Sequence, residues 1–183
     1  FLLKEAYDSK NSTVGWDLSA HINKKKNKAR GRTFLPLGQW AYGIREIHQT
    51  GNIQPFTKSG REVDQAFVAS SIVNIKKSGG KSKSEAGDLI KYVDSDWELI
   101  KGQIDYLAPD IIVCGRTWPL IKQKLKSGKK VSDRVHFYDG YHFVDFWHPA
   151  NRSPNLMNYY SLCALIHQSR ITCPSKVSQS TNH

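Results

Sequence analysis

Cysteine is scarce in this chain: 183 residues hold three, Cys114, Cys163 and Cys173, odd in number and far apart. Such a set builds neither a disulfide framework nor a metal quartet, so no metal or other cofactor is expected. A reducing, cytoplasmic setting fits best. Long apolar runs are missing too. The longest are a few residues, such as Ile111-Ile112-Val113-Cys114, where a membrane span needs about 20, and no membrane partner is expected. Phe1-Leu2-Leu3 is followed at once by Lys4 and Glu5, which excludes a secretory signal in that stretch. The first residue is not Met, so a short leader is expected to precede it. No internal repeat is visible.

Acid is in short supply: 16 Asp and Glu stand against 27 Lys and Arg, a net charge of +11. The excess is uneven. Lys24, Lys25, Lys26, Lys28, Arg30 and Arg32 form one block without an acid, Lys76, Lys77, Lys81 and Lys83 a second, and residues 122–134 a third. Blocks separated in sequence can line one groove in a fold, the electrostatic footprint of a polyphosphate partner; the plainer alternative is three solvated loops. With 39% hydrophobic residues and five Trp, the chain can bury a real core. Its length suits a single domain, expected over residues 1–170 with a frayed polar tail at 171–183.

Periodicity predicts alternating strands and helices. Phe1-Leu2-Leu3 reads as a buried strand entering the polar turn Glu5-Ala6-Tyr7-Asp8. Phe67 to Val73 reads as a second strand, ending at Asn74 and followed by a basic glycine loop. Ser95-Asp96-Trp97-Glu98 has the form of a capping box, opening a helix with Trp97, Ile100, Ile104 and Leu107 on one face until Pro109 stops it. Ile111 to Gly115 is a short all-apolar strand, as in a parallel sheet covered on both faces. A Lys-rich amphipathic helix is expected from about Thr117 to Leu125. Val135–Tyr138 and His142–Phe146 flank Asp139-Gly140, a hairpin turn, and Asn155 to about His167 makes the last helix. This order argues an α/β fold: a three-layer α/β/α sandwich around a short, mainly parallel central sheet. In such sheets ligands sit beyond the carboxyl ends of the strands, here Glu5–Asp8, Asn74–Gly80, Gly115–Thr117 and Trp147–Arg152.

Four of these fragments, in order, resemble the uracil-DNA glycosylase superfamily over roughly residues 1–167. The family's first strand ends in a Gly-Glu-Ala-Pro-Gly or Gly-Gln-Asp-Pro-Tyr type turn, a place held here by Lys4-Glu5-Ala6-Tyr7-Asp8. A later strand ends in Asn and a basic loop, like Ile72-Val73-Asn74-Ile75-Lys76-Lys77. Then come Glu85 and a Pro-x-x-Ile-Val-x-x-Gly strand, like Pro109 to Gly115, and last a His-Pro loop, His148-Pro149-Ala150-Asn151-Arg152. Thr33-Phe34-Leu35-Pro36-Leu37-Gly38 is similar to the segment whose aromatic stacks on the extruded base, and a Lys-rich insertion at about residues 22–33 precedes it. The chain departs from the family elsewhere. Ser78 stands where the iron–sulfur branch has Cys, and the first turn lacks Pro and carries Ala6.

The resemblance implies a monofunctional, monomeric enzyme that flips a nucleotide out of double-stranded DNA and hydrolyses its glycosidic bond. Positive charge then develops on the sugar and negative charge on the departing base. Asp8 or Glu5 would orient water and steady the cation, and a neutral His148 would donate to the pyrimidine O2. Asn74 would read the base edge, fitting uracil or, with its amide turned over, cytosine. Tyr7 and Phe34 would complete the base pocket, although core packing is an equal alternative for Phe34. Arg152 would serve as a wedge or phosphate clamp, and Lys24, Lys25, Lys26, Lys76, Lys77 and Lys81 would contact DNA. The rewritten first turn favours a modified pyrimidine larger than uracil, such as glucosylated hydroxymethylcytosine of phage DNA, which would make the enzyme one of antiviral defence. Ordinary uracil repair, a non-catalytic DNA-binding relative and a nuclease are the alternatives.

Overall fold

The computed structural model describes residues 1–7, 28–80 and 85–171, with backbone alone at 5–7, 77–80 and 86. Six strands form one sheet in the order β2-β1-β3-β6-β5-β4: β1 Leu2–Tyr7, β2 Val73–Gly80, β3 Ile111–Gly115, β4 Gly128–Lys130, β5 Val135–Tyr138 and β6 Tyr141–Phe146. The first four in that order run parallel, and β5 and β4 extend the sheet antiparallel. Five helices among the described residues cover it: α1 Gly31–Thr50, α2 Arg61–Val68, α3 Ala86–Leu107, α4 Trp118–Ile121 and α5 Asn155–Gln168. The protein is therefore an α/β sandwich around a mostly parallel sheet.

Alternation along the strands divides the interior into two cores. Leu3, Val113, Val144 and Phe146 pack under α1, α2 and α5, against Leu37, Trp40, Phe67, Tyr159 and Leu162. Leu2, Val73, Ile75, Ile112, Cys114 and Phe143 pack under α3 and α4, against Leu89, Val93, Ile100 and Trp118. Neighbouring residues of one strand thus face opposite layers. No described helix is long and apolar enough to cross a membrane.

The Ile111–Gly115 strand, the Asp139-Gly140 hairpin and the last helix match the periodicity. Both turn residues take positive φ, 49° and 87°, the backbone that a two-residue hairpin turn requires. Several expectations need correction. Residues 5–7 continue β1 and residues 76–80 continue β2 as paired strand, rather than forming a polar turn and a basic glycine loop. Phe67 and Val68 end α2 rather than begin a strand: Val63, Ala66 and Phe67 are its buried face, a helical spacing. Ser95 lies inside α3, which starts nine residues earlier at Ala86, and its hydroxyl donates to Asp96 Oδ1 at 2.8 Å instead of capping an end. The buried stripe already begins at Leu89 and Val93, so the helix forms through the polar middle. The expected helix over residues 117–125 is one α turn, Trp118–Ile121, followed by the 3-10 turn Lys122–Lys124.

Helix α1 escapes sequence reading because it contains Pro36, Gly38 and Gly43. The glycines are contact points. A Cβ on Gly38 would stand 2.7 Å from Ala29 Cβ, and one on Gly43 would stand 2.6 Å from both Cys163 Sγ and Tyr159 Cε2. Close approach of α1 to its neighbours outweighs the roughly 1 kcal/mol that each glycine costs a helix.

Candidate active site at the carboxyl edge of the sheet

Strand register brings distant segments to one edge. Leu2 pairs with Val73 and with Cys114, and Cys114 pairs with Asp145. One residue further along, Asn74 pairs with Leu3, and β3 and β6 end at Gly115 and Phe146. Asn74 therefore lies one residue inside β2 rather than at its end, level with the termini of β3 and β6. Strands β1 and β2 project past that row. The absence of a side chain at Gly115 lets the chain after β6 fold over it: a Cβ there would meet Leu3 Cδ2 at 2.7 Å, Pro149 Cδ at 3.5 Å and His148 Cα at 3.7 Å. Thr117, fully buried, donates its hydroxyl to the Leu2 carbonyl at 3.0 Å and ties the end of β3 to β1.

Since Val73 and Ile75 belong to the α3 side, alternation turns Asn74 toward the α1/α5 side, the side of Leu3 and of the His148 backbone. Two strand spacings, about 10 Å, separate Asn74 from Gly115. Among the described residues, no hydrogen bond occupies the Asn74 amide.

His148 is held in one protonation state. Burial, followed by the nearby charges of Lys4 and Arg116, pulls its pKa down from 6.5 to about 4, so the ring is neutral at physiological pH. The Ala150 N–H donates to Nδ1 at 3.2 Å. A neutral imidazole that accepts at Nδ1 carries its proton on Nε2, leaving that N–H as a donor. The loop around it is fastened by two asparagines. Asn151 donates from both its backbone N–H (3.0 Å) and its side chain (2.8 Å) to the His148 carbonyl. Its Oδ1 accepts from Ser153 N–H at 2.7 Å and from Nδ2 of Asn158, a buried residue of α5, at 3.2 Å.

The other face of the same edge is positively charged. Lys4, Arg116 and Arg134 border a cleft of about 320 Å³ with Asp145 and Trp147. The guanidinium carbons of Arg116 and Arg134 stand 5.0 and 5.2 Å from the Trp147 ring centroid. Arg116 has φ +60°, uncommon without glycine, and its N–H points to the carbonyls of Cys114 (2.8 Å) and Phe146 (2.9 Å). Sequence reasoning named the stretches holding Arg116 and Trp147 but gave them no role. Arg134 falls in the third basic block, but nothing in the sequence joins it to Arg116, because the hairpin delivers it.

Other expected site residues are placed as follows. Asp8, Lys24, Lys25, Lys26 and Lys81 lie outside the described residues, as do the side chains of Glu5, Tyr7 and Lys77. The Glu5 backbone pairs with Lys76, beyond the Asn74 row. Lys76 is 12% exposed, bonded to Asp88 at 3.0 Å and lying over the Tyr92 ring, so its charge is turned inward rather than offered to a partner. Phe34 sits on α1, half-buried, 5.4 Å from the Phe67 ring. Arg152 is exposed in the His148 loop. Of the basic blocks, Arg30 pairs with Asp64, Lys124 with Asp94 and Lys130 with Asp133. No cluster of three metal-ligating side chains occurs among the described residues.

Compared with known proteins, the chain matches no family model, no curated protein and no solved structure.

Proposed function

We propose that the protein is a DNA glycosylase that extrudes a non-standard pyrimidine nucleotide from double-stranded DNA and hydrolyses its N-glycosidic bond, leaving an abasic site. The observation that carries this reading is the setting of His148. Its Nδ1 accepts the Ala150 N–H and burial keeps the ring neutral, which leaves Nε2–H as a donor. The His148 backbone lies over Gly115 on the side of the sheet edge that Asn74 faces. A neutral donor suits a departing pyrimidine. It stabilises the anion growing on O2 without first protonating the base, and being pre-oriented it needs no reorganisation as charge develops.

The step balances simply. The bond from the sugar C1′ to the base nitrogen breaks and its electron pair leaves with the base, spread toward O2 opposite His148. Water adds to C1′, and its proton passes to a carboxylate of the Glu5–Asp8 stretch, Glu5 or Asp8. Asn74 reads the base edge across the roughly 10 Å between its strand and the His148 loop. The positive edge and the exposed Arg152 favour a polyanionic partner. A first turn without the family's Pro favours a base larger than uracil, such as a glucosylated hydroxymethylcytosine, and a role in defence against phage.

Base release measured by mass spectrometry tests this, in EDTA, on uracil-containing DNA beside glucosylated phage DNA. Release of the modified base is expected. Release of uracil alone would return the enzyme to ordinary repair, and release of neither would leave a DNA-binding protein without this chemistry.

A further inference from the structure

The cleft on the α3/α4 side of the sheet edge supplies no group that touches the base or the water in the reaction just described, although Lys4 and Arg116 help to keep His148 neutral. Two of its polar lining residues are strand residues that alternate away from Asn74. Lys4 follows Leu3 and shares the side of Leu2, while Asp145 shares that of Phe143. Three cations from three separate elements, the end of β1, the turn after β3 and the approach to β5, border one space with a single carboxylate. Among the described residues, no ion pair within 4.0 Å joins that carboxylate to any of the three cations. Leu89 and Leu120 supply an apolar wall, which keeps the local field high. Arg116 holds a left-handed backbone that a glycine would adopt more cheaply, and strain of this kind persists where the surroundings fix it. Trp147 lies within about 5 Å of both guanidinium carbons, and Arg134 Nη1 also donates to the Asp145 backbone carbonyl at 3.3 Å, so the forks are held by the ring and a carbonyl instead of by a carboxylate.

We infer that this cleft is a phosphate site, in which Arg116 and Arg134, braced on Trp147, grip a phosphate group with Lys4 completing the charge. Guanidinium forks match phosphate oxygens in geometry, and a cleft of about 320 Å³ accepts the group with the sugar attached to it. The phosphate can come from a nucleic-acid backbone or from a free phosphorylated molecule. The inference does not rest on base excision.

The indole is its own reporter. Inorganic phosphate is titrated into the wild-type protein and into Trp147→Phe, and the difference in emission isolates Trp147 from the other tryptophans. The same titration follows for the Arg116→Gln/Arg134→Gln double variant, with circular dichroism as the check on folding. A saturable change is expected in the wild type, weakened about tenfold or more in the double variant. Binding to a duplex of standard bases is then measured against salt. If the source is nucleic acid, the log–log slope of the double variant becomes shallower by about one phosphate contact. A phosphate response with an unchanged slope assigns the site to a free phosphorylated molecule. If neither the phosphate response nor the slope differs between wild type and double variant, the inference is overturned. Because no base is excised from this duplex, failure of the proposed activity leaves the result intact, and the reverse holds equally.

Discussion

The two faces of the sheet share the same strand ends, yet they offer different chemistry. On the α1/α5 side the edge presents the Asn74 amide and the backbone of the loop that carries a desolvated His148, groups that are neutral at physiological pH. On the α3/α4 side it presents three cations and one carboxylate around Trp147. One residue of register separates them, since Leu3 and Lys4 are neighbours in β1. The charged face also sets the state of the neutral one: after burial, Lys4 and Arg116 are what hold the His148 proton off. Under the proposed function, one face of the sheet edge carries the reaction and the other tunes it.

The comparison is tested most severely at His148. His148→Ala is expected to lower base release by about 10²- to 10⁴-fold while duplex affinity stays near that of the wild type, because the donor acts on charge that exists only in the transition state. Single-turnover kinetics beside a binding isotherm check this, and a matched loss in both would move His148 from chemistry to binding.

A second test reads stability. The folded-state pKa of His148 lies near 4, below the ordinary value of 6.5. The unfolded chain therefore takes up a proton first as pH falls, and the native state loses up to about 3 kcal/mol between those two values. Denaturant midpoints across that range should fall with pH in the wild type and fall less in His148→Asn. Removing positive charge from the other face with Lys4→Gln should raise the His148 pKa, read by NMR titration of the ring, and narrow the same window.

Smaller effects are expected from the supports. Asn158→Ala leaves the Asn151 amide oxygen short of a donor under a folded loop, a loss of about 1–3 kcal/mol in a thermal melt. Base release should drop with it, and the cleft on the far face should still answer to phosphate. Least of all, Arg116→Gly relieves the positive φ and should gain about 0.5–1 kcal/mol of stability while it weakens phosphate binding.

How much of this was legible before any coordinates depended on whether the signal was local. Ile111 to Gly115 announces itself as a strand because all its residues are apolar and a parallel sheet buries both faces. His148 could be named because it follows a strand directly. Helix α1 could not, since its glycines are explained by contacts outside the helix: Gly38 by Ala29 and Val63, and Gly43 by the side chains of Tyr159 and Cys163, more than a hundred residues away. The start of α3 was missed because Ser95 and Glu98 imitate an end in the middle of a continuous stripe. The Lys76 contact with Asp88 was invisible for a similar reason: charge is countable in a sequence, but its partner is not. Arg134 joins Arg116 only after the hairpin has paired with β3, so no spacing rule could have linked them.

The placement of β1 has a kinetic consequence. Its partners, Val73 and Cys114, stand 71 and 112 positions further along, whereas β4, β5 and β6 are joined by short turns. Closing long loops is slow and local pairing is fast, so the hairpin end of the sheet is expected to form first, with β1 inserted between β2 and β3 late. Pulse-labelled hydrogen exchange should then protect Val144 amides well before those of Leu3. Both proposed sites draw on β1, one beside Leu3 and the other through Lys4. A chain caught before that insertion would have most of its secondary structure, an open slot in the middle of its sheet and neither function.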